Sequence, residues 1–239
     1  MILAYMDKAP GKYIVEATEK EHKKLLVENV LDFESSEEVV VASPHKSKEG
    51  KAAITVHYPG NPTRADYGGK EMTLNVSNPF LSYRLYVETI EALEEDGIEI
   101  EITYEADHHG PTIEKPIVFY ELGSNEEQWN NRAYCSLMGK VLDKALESNE
   151  TPSSIFLAVG GNHYANKFNK LTRKKGFAYT HILAKYSLDE LTREVFGQAL
   201  QRSLAVAEAV LIDKKGTTKE QKEKIKSWCD DLNISAELI

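Results

Sequence analysis

Short runs of apolar and β-branched residues recur along the chain and predict β-strands. The runs cover residues 2–6, 39–42, 53–58, 98–104, 117–122, 155–159, 181–184 and 206–212. Most are continuously apolar, which is typical of strands that are buried on both faces. The run 98–104 instead alternates strictly between apolar and polar residues, and this predicts an edge or half-exposed strand.

Helical patterns lie between several of these strands. In the clearest, over residues 124–146, an apolar residue recurs every four positions from Trp129 to Ala145, so one face must be buried. Asn78 and Pro79 predict the N-cap and the first turn of another helix, which should end near Gly97.

Capping boxes, in which a hydroxyl residue is followed three positions later by glutamate, predict further helix starts. They occur at Ser124 with Glu127, at Ser187 with Glu190 and at Thr217 with Glu220. Strands alternating with helices predict an α/β fold, with a mostly parallel or mixed sheet and helices on both faces. We expect a single domain over residues 1–239.

Composition narrows the class of protein. The chain has 239 residues, 41% of them hydrophobic, which is enough to bury a full α/β core. A formal charge of −9 disfavours indiscriminate nucleic-acid binding, because phosphate neutralisation is the sequence-independent part of such affinity.

The two cysteines, Cys135 and Cys229, do not have the spacing of a disulfide framework, so we expect reduced thiols on helices. With neither a membrane-spanning run nor a signal-peptide layout, we expect a cytoplasmic protein.

Polar residues stand at the ends of four predicted strands, where ligands bind in open α/β sheets. They are His57, His108, His109, Glu121 and His163. Imidazoles serve as general acid, general base or metal ligand at neutral pH, so we predict that these residues form a catalytic site. A metal would be held by His108, His109 and His163. Whether the histidines bind metal or transfer protons stays open, because no HExxH-like spacing is present.

A basic stretch follows His163. Residues 162–176 contain no acidic residue, and the basic ones are Lys167, Lys170, Arg173, Lys174 and Lys175. Such a run is usually the solvated face of a helix. Its position beside His163 nevertheless favours a polyanion lying next to the site.

Five segments, in the same order along the chain, resemble the archaeal and plant type of D-aminoacyl-tRNA deacylase. They are HYPGNP from residue 57, HHGP from 108, ELGSNEEQW from 121, GGNHYA from 160 and HILAKY from 181. The resemblance implies an α/β fold related to nucleoside phosphorylases and peptidyl-tRNA hydrolases. It also implies hydrolysis of the ester between a broad range of D-amino acids and tRNA, which is chiral proofreading, with zinc as cofactor. The partner would be D-aminoacyl-tRNA, and the five basic residues between 167 and 175 are then predicted to bind the tRNA. No membrane partner is implied, and we expect a monomer.

The resemblance also assigns positions and shows departures. The matching family positions are His57, His108, His109, Glu121, His163 and His181. Asp107 precedes the paired histidines where family members commonly have threonine, and Asn162 stands where they have threonine or glycine. We therefore predict direct attack by water rather than by a hydroxyl nucleophile. Asp107 and His181 are interpreted as residues that support the catalytic histidines.

Ester hydrolysis needs an activated water and a group that stabilises the oxyanion. Histidines, or a histidine-bound metal, can supply the first. Backbone N–H groups at Gly160 and Gly161, or at a helix start after Ser124, are candidates for the second. On the sequence alone, two other functions stay open: a nucleoside phosphorylase or hydrolase of the same fold, and a non-catalytic tRNA-binding module that uses only the basic stretch.

Overall fold

The computed structural model of the chain describes residues 1–48 and 50–239. Its strands are β1 (Ile2–Tyr5), β2 (Lys23–Leu26), β3 (Val39–Lys46), β4 (Ala53–His57), β5 (Gly60–Asn61), β6 (Thr73–Leu74), β7 (Glu101–Tyr104), β8 (Ile117–Ser124), β9 (Ser154–Val159), β10 (Phe177–Leu183), β11 (Val210–Ile212) and β12 (Ala236–Leu238). Its helices are α1 (Gly11–Glu16), α2 (Pro79–Asp96), α3 (Glu126–Trp129), α4 (Arg132–Glu147), α5 (Asn166–Lys175), α6 (Arg193–Gln201) and α7 (Lys219–Asp231), with a 3-10 turn at Lys185–Ser187.

A mixed sheet contains six strands in the order β2-β1-β3-β8-β4-β7. The β4–β8 pair is antiparallel and every other pair in this sheet is parallel, so β4 and β7 run opposite to their neighbours. One face packs against α1, α2 and α4. The opposite face packs against loop residues that include Val30 and Ile113.

A second sheet has four parallel strands in the order β10-β9-β11-β12. Residues of α6 and α7 cover one face, where Val195 and Ile225 pack with Val159 and Ile212. Phe168 of α5 packs on the other face. Because β9 comes first along the chain but lies between β10 and β11, the chain winds first to one side of β9 and then to the other.

The two sheets share an apolar core. Tyr104 at the end of β7 stacks on Tyr86 of α2 at 4.4 Å between ring centroids, and it meets Tyr179 of β10 edge-on at 5.9 Å. Backbone bonds extend this junction, because Ala106 N–H donates to the His163 carbonyl at 2.8 Å and Asp107 N–H to the Ile182 carbonyl at 2.9 Å. The segment after β7 is thereby held against the second sheet.

Several features predicted from the sequence are confirmed. The fold is α/β, with mixed and parallel sheets, and the alternating strand β7 lies at a sheet edge. In α2 the Asn78 side chain accepts a hydrogen bond from Leu81 N–H, and Gly97 ends the helix with the left-handed φ of 62° that glycine adopts without strain. Cys135 and Cys229 are buried and free on α4 and α7.

The predicted helix over 124–146 is wrong at its start. Strand β8 continues through Ser124, and Asn125 caps α3 with Gln128 completing the box. The helix then breaks, and Asn131 caps α4 by accepting from two N–H groups. An asparagine amide oxygen caps a helix as well as a serine hydroxyl does, so the sequence allowed either Ser124 or Asn125 as the N-cap.

The other two capping predictions are also wrong. Only a 3-10 turn lies at Ser187. The last helix begins one residue later than predicted, with Thr218 and Gln221 forming its box. Within residues 1–48 and 50–239, no helix is long and apolar enough to cross a membrane.

Candidate active site

A stripe of polar side chains, here called the polar stripe, crosses one face of the six-stranded sheet. Its members are Ser43 and His45 on β3, Thr55 and His57 on β4, Glu121 on β8, and Thr103 and Glu105 at the end of β7. Strand side chains point to the two faces in turn, so residues two apart share a face. The register places Glu121 opposite both Ser43 and Thr55, and Thr55 opposite Thr103.

Glu121 therefore lies within the sheet, between Ser43 and Thr55. One carboxylate oxygen accepts a 2.7 Å hydrogen bond from the Ser43 hydroxyl. The other lies 3.6 Å from His45 Nδ1. Burial acts to lower the pKa of His45, but Glu121 and Glu105 outweigh it, and the pKa is raised above its ordinary value.

Glu105 lies at the centre of a group of five rings, here called the histidine cluster, which consists of His45, His57, His108, His109 and His163. Its side chain is fully buried, with Oε1 3.1 Å from His163 Nε2 and 3.4 Å from His45 Nδ1, and Oε2 3.4 Å from His57 Nδ1. Burial acts to raise the pKa of Glu105, but contact with His163 and the charges of His108 and His45 lower it to about 2. None of these contacts is aligned as a hydrogen bond, and both carboxylate oxygens lack a hydrogen-bond partner among the described residues. A buried carboxylate in this state favours a bound proton or cation.

Both paired histidines face the cluster. β7 has ended at Tyr104, and His109 adopts a left-handed φ of 50°, so the alternation of a strand no longer separates the two rings. The ring centroid of His57 lies 4.3 Å from that of His108 and 4.9 Å from that of His109. His108 also meets His163 edge-on at 4.6 Å.

The Nδ1 atoms of these rings face acceptors. Nδ1–H of His108 donates to the Ala106 carbonyl at 2.8 Å, and that of His109 donates to the Gly110 carbonyl. His57 Nδ1 faces Glu105. The lone pairs of the neutral rings then lie on Nε2, and the Nε2 atoms of His57 and His109 are 3.1 Å apart.

Burial, followed by repulsion among neighbouring imidazoles, lowers the pKa of these rings. The pKa of His108 falls to about 3, that of His57 lies well below its ordinary value, and that of His109 is also lowered, although Glu121 opposes the shift. All three are therefore neutral at pH 7. A neutral imidazole with an available lone pair is the form that binds a metal.

His57, His108 and His109 could hold a metal ion. One ligand atom from each lies within 4.8 Å of the others. Metal-binding histidines generally donate their second N–H to a carboxylate or a backbone carbonyl, and these three have such acceptors at Nδ1. The predicted set of His108, His109 and His163 does not form such a group in the described chain. His163 instead groups with Glu105 and His108, because its Nε2 faces Glu105.

His163 connects the cluster to solvent. Its side chain is 32% exposed, and its Nδ1 lies 3.2 Å from the Tyr186 hydroxyl. With the Nε2 proton directed at Glu105, Nδ1 is an acceptor at the edge of the cluster. Asn162 and Tyr164 flank it and line a cavity of about 570 Å³ that also reaches His45. The ring is accessible to water on one side and contacts a buried carboxylate on the other.

Asp107 and His181 form a separate buried pair. Asp107 Oδ2 meets His181 Nδ1, and its Oδ1 accepts from Ile182 N–H at 3.0 Å. His181 Nε2–H donates to the Arg202 carbonyl at 2.9 Å. Asp107 thus contacts His181 instead of orienting His108, its neighbour in sequence. Its carboxylate joins the segment after β7 to β10.

The predicted oxyanion role of Gly160 and Gly161 is wrong in this conformation. Gly160 N–H donates to the Leu183 carbonyl at 2.8 Å, and Gly161 N–H donates to the Gly216 carbonyl at 2.9 Å. Both residues have positive φ, and a Cβ at Gly160 would lie 2.7 Å from the Thr217 methyl carbon. The pair serves a tight turn beside β11. Ser124 N–H is likewise occupied, by Gln128 Oε1 at 3.1 Å.

The predicted tRNA-binding residues lie along α5 or at its end, and they differ in their surroundings. Lys170, Arg173, Lys174 and Lys175 are exposed, and Lys175 lies over the ring of Phe177. Arg173 donates to the Tyr86 hydroxyl at 3.0 Å and to the Ile102 carbonyl at 2.8 Å, so its guanidinium attaches α5 to the core. These contacts favour a structural role for Arg173 over phosphate binding. Lys167 lines a cavity described below.

Glu105 and His45 were missed from the sequence. A usable signal was present, because Ser43 and His45, like Thr103 and Glu105, are polar residues two positions apart at the ends of apolar strands. The catalytic roles predicted for His57, His108, His109, Glu121 and His163 stay predictions.

Comparisons with known proteins show what this chain is similar to. A family model described as D-aminoacyl-tRNA deacylase matches residues 32–237. A D-aminoacyl-tRNA deacylase of Staphylothermus marinus is 34% identical, over 84% of this chain and 74% of its own length. One from Ignicoccus hospitalis is 31% identical, over 98% of this chain and 96% of its own. A crystal structure described as the conserved protein of unknown function AF0625 superposes with a TM-score of 0.89 at 26% identity, covering 99% of this chain and 94% of that one.

Proposed function

Because the chain belongs to the D-aminoacyl-tRNA deacylase family, we propose that it hydrolyses the ester bond of D-aminoacyl-tRNA and releases the free D-amino acid and tRNA. The observation that carries the proposal is the contact of Glu105 with His163. A buried carboxylate, ionised because its pKa is about 2, lies 3.1 Å from a partly exposed imidazole whose other nitrogen meets the Tyr186 hydroxyl. The preference for D over L amino acids follows from family membership.

His163 is proposed as the general base. With its Nε2 proton directed at Glu105, the Nδ1 lone pair accepts a proton from the attacking water. The imidazolium that forms is stabilised by the Glu105 carboxylate, as in other pairs where a buried carboxylate orients a histidine. The same imidazolium can then donate its proton to the leaving ribose hydroxyl. No covalent acyl-enzyme is required.

We further propose that the metal is zinc, held by His57, His108 and His109. Three histidines with one open position are a common catalytic zinc set. When bound, the ion would supply positive charge for the ester carbonyl oxygen and lower the pKa of a nearby water. The Glu105 carboxylate, 3.4 Å from His57 Nδ1, would balance the added charge. The positive charge of the exposed lysines on α5 would attract the tRNA backbone.

The test is incubation of the protein with D-Tyr-tRNA and L-Tyr-tRNA, with and without a chelator, while released tyrosine is measured. We expect hydrolysis of the D form only, loss of activity with the chelator, and restoration by zinc. A His163→Gln variant should lose activity. The matched control is His22→Gln, since His22 pairs with Asp143 beside α4, away from the cluster. Inertness toward both tRNAs would overturn the function, whereas resistance to the chelator would overturn only the metal.

A further inference from the structure

The four-stranded sheet has a topological switch point that the proposed chemistry does not use. From β9 the chain passes through α5 to β10 on one side, and then through α6 to β11 on the other. All of these strands are parallel. Connections that leave in opposite directions create a crevice beyond the carboxyl ends of the central strands, and this is where open α/β sheets bind ligands.

A cavity of about 680 Å³ lies at this point. Its walls come from the segments that follow three strands: Gly161 and Asn162 after β9, Lys185 and Tyr186 after β10, and Asp213 and Lys215 after β11. A volume of this size lies within the range of small-molecule sites, which is about 300–1,000 Å³.

The lining has the chemistry of a nucleotide site. Lys167, Lys185 and Lys215 supply positive charge for phosphate. Tyr186 has 61% of its surface exposed, which leaves an aromatic ring available for stacking on a base. Asp213 Oδ1 accepts a hydrogen bond from Lys215 N–H. A Cβ placed on Gly161 would lie 3.5 Å from Asp213 Oδ2, so this oxygen faces the turn that lines the cavity. A carboxylate oxygen in that position can accept from a hydroxyl or amino group of a nucleoside.

The cavity shares a wall with the histidine cluster. The Tyr186 hydroxyl lies 3.2 Å from His163 Nδ1, and Asn162 directly precedes His163 in the chain. A ribose beside Tyr186 and Asn162 would therefore have its hydroxyls next to the proposed general base. In aminoacyl-tRNA the scissile ester is formed with a ribose hydroxyl of the 3′-terminal adenosine.

We propose that this cavity binds the terminal adenosine of the tRNA acceptor end, with the base between Tyr186 and Asp213 and the adjoining phosphate at Lys185 and Lys215. This inference rests on the proposed function. It assigns the recognition of the nucleoside to the second sheet, and the cleavage of the ester to the histidine cluster around Glu105. Adenosine monophosphate (AMP) carries the same base, ribose and phosphate, so it serves as the probe.

The experiment measures AMP binding to the full chain by calorimetry, and D-Tyr-tRNA hydrolysis at increasing AMP. AMP should bind and should raise KM while leaving kcat unchanged. Lys215→Met and Asp213→Asn should each weaken AMP binding and raise KM by about tenfold, with little change in kcat. The control is Lys24→Met, at an exposed position on β2 outside the cavity. Unchanged thermal unfolding would show that each variant is folded.

Each outcome decides the question. AMP that binds without raising KM would mean that the cavity takes a free nucleotide and not the tRNA end, which overturns the inference. Active protein with no AMP binding, or variants with wild-type KM, would also overturn it while leaving the deacylase function intact. Bound AMP in a protein inert toward both tRNAs would refute the proposed function itself.

Discussion

Two groups of buried histidines and carboxylates lie within a few residues of each other and differ in how their polar atoms are satisfied. In the Asp107–His181 pair, both carboxylate oxygens and both ring nitrogens have hydrogen-bond partners. In the cluster around Glu105, both carboxylate oxygens and His57 Nδ1 have none among the described residues. A satisfied buried pair stabilises one structure, whereas an unsatisfied one retains the capacity to bind a proton, an ion or a substrate.

The same contrast separates two cations on α5. Both Arg173 and Lys170, one helical turn earlier, are exposed. The Arg173 guanidinium, however, donates to the Tyr86 hydroxyl and to the Ile102 carbonyl, which attaches it to the core. Residue type and proximity to His163 do not distinguish the two residues, but their partners do.

The largest effect should come from removing the charge of Glu105. Glu105→Gln keeps the shape of the side chain but cannot stabilise the His163 imidazolium, so kcat for D-Tyr-tRNA should fall by about 10²–10⁴-fold. Asp107→Asn is the matched control, and its kcat should change far less in protein that remains folded. A kcat for Glu105→Gln within a few fold of wild type would show that the cluster around Glu105 does not differ from the Asp107–His181 pair in its role.

The Asp107–His181 pair should contribute to the stability of the fold and not to turnover. His181→Leu leaves the Asp107 carboxylate buried without its partner, which should lower the free energy of unfolding by about 3–5 kcal/mol. Denaturant titration measures this change. The folded fraction should retain activity per molecule. Wild-type stability together with lost turnover would reverse the roles assigned to the two groups.

Acid should destabilise the protein through the cluster. The pKa of His108 is lowered to about 3, so between pH 6.5 and 3 the unfolded state binds a proton that the folded state does not. Stability then falls as pH falls, by at most about 1.4 kcal/mol per pH unit for each such histidine. Glu105 adds to the loss only below its ordinary pKa of 4.5. His45, whose pKa is raised, acts in the opposite direction near pH 7, because the folded state there binds its proton more tightly than the unfolded state does.

The measurement is the urea midpoint of metal-free protein from pH 7 to pH 5. His108→Gln should flatten the pH dependence by up to one proton, whereas His22→Gln should leave it as in wild type. An equal slope in wild type and His108→Gln would show that His108 is not held neutral.

The smallest effect concerns α5. Lys170→Met should raise KM for D-aminoacyl-tRNA slightly and reduce the slope of log KM against log salt by about one, since one phosphate contact is lost. Arg173→Met should instead lower the unfolding temperature. If Lys170→Met left the salt dependence unchanged, the exposed face of α5 would not bind the tRNA backbone.

The success of prediction from sequence varied with the range of the interaction. The apolar runs located most of the strands, and Asn78 and Gly97 located both ends of α2, because these signals depend on neighbours in the chain. The short strands β2, β5, β6 and β12 were missed, since two to four residues carry too little pattern. Within the site, His57, His108, His109, Glu121 and His163 were found from their residue type, but Glu105 was not, because a glutamate after a strand is an ordinary surface residue in most sequences.

The sequence by itself determined the class of the fold, the family and four of the five histidines around Glu105, since these follow from local periodicity and from ordered motifs. Only the tertiary structure decided the role of each residue. It reversed β4 and β7 relative to β8, brought Glu105 among the rings, turned Asp107 toward His181, and used the N–H groups of Gly160 and Gly161 in turns. Hydrogen bonds and buried charges depend on partners far away in the chain, so the pattern around a residue cannot show whether its polar atoms are satisfied.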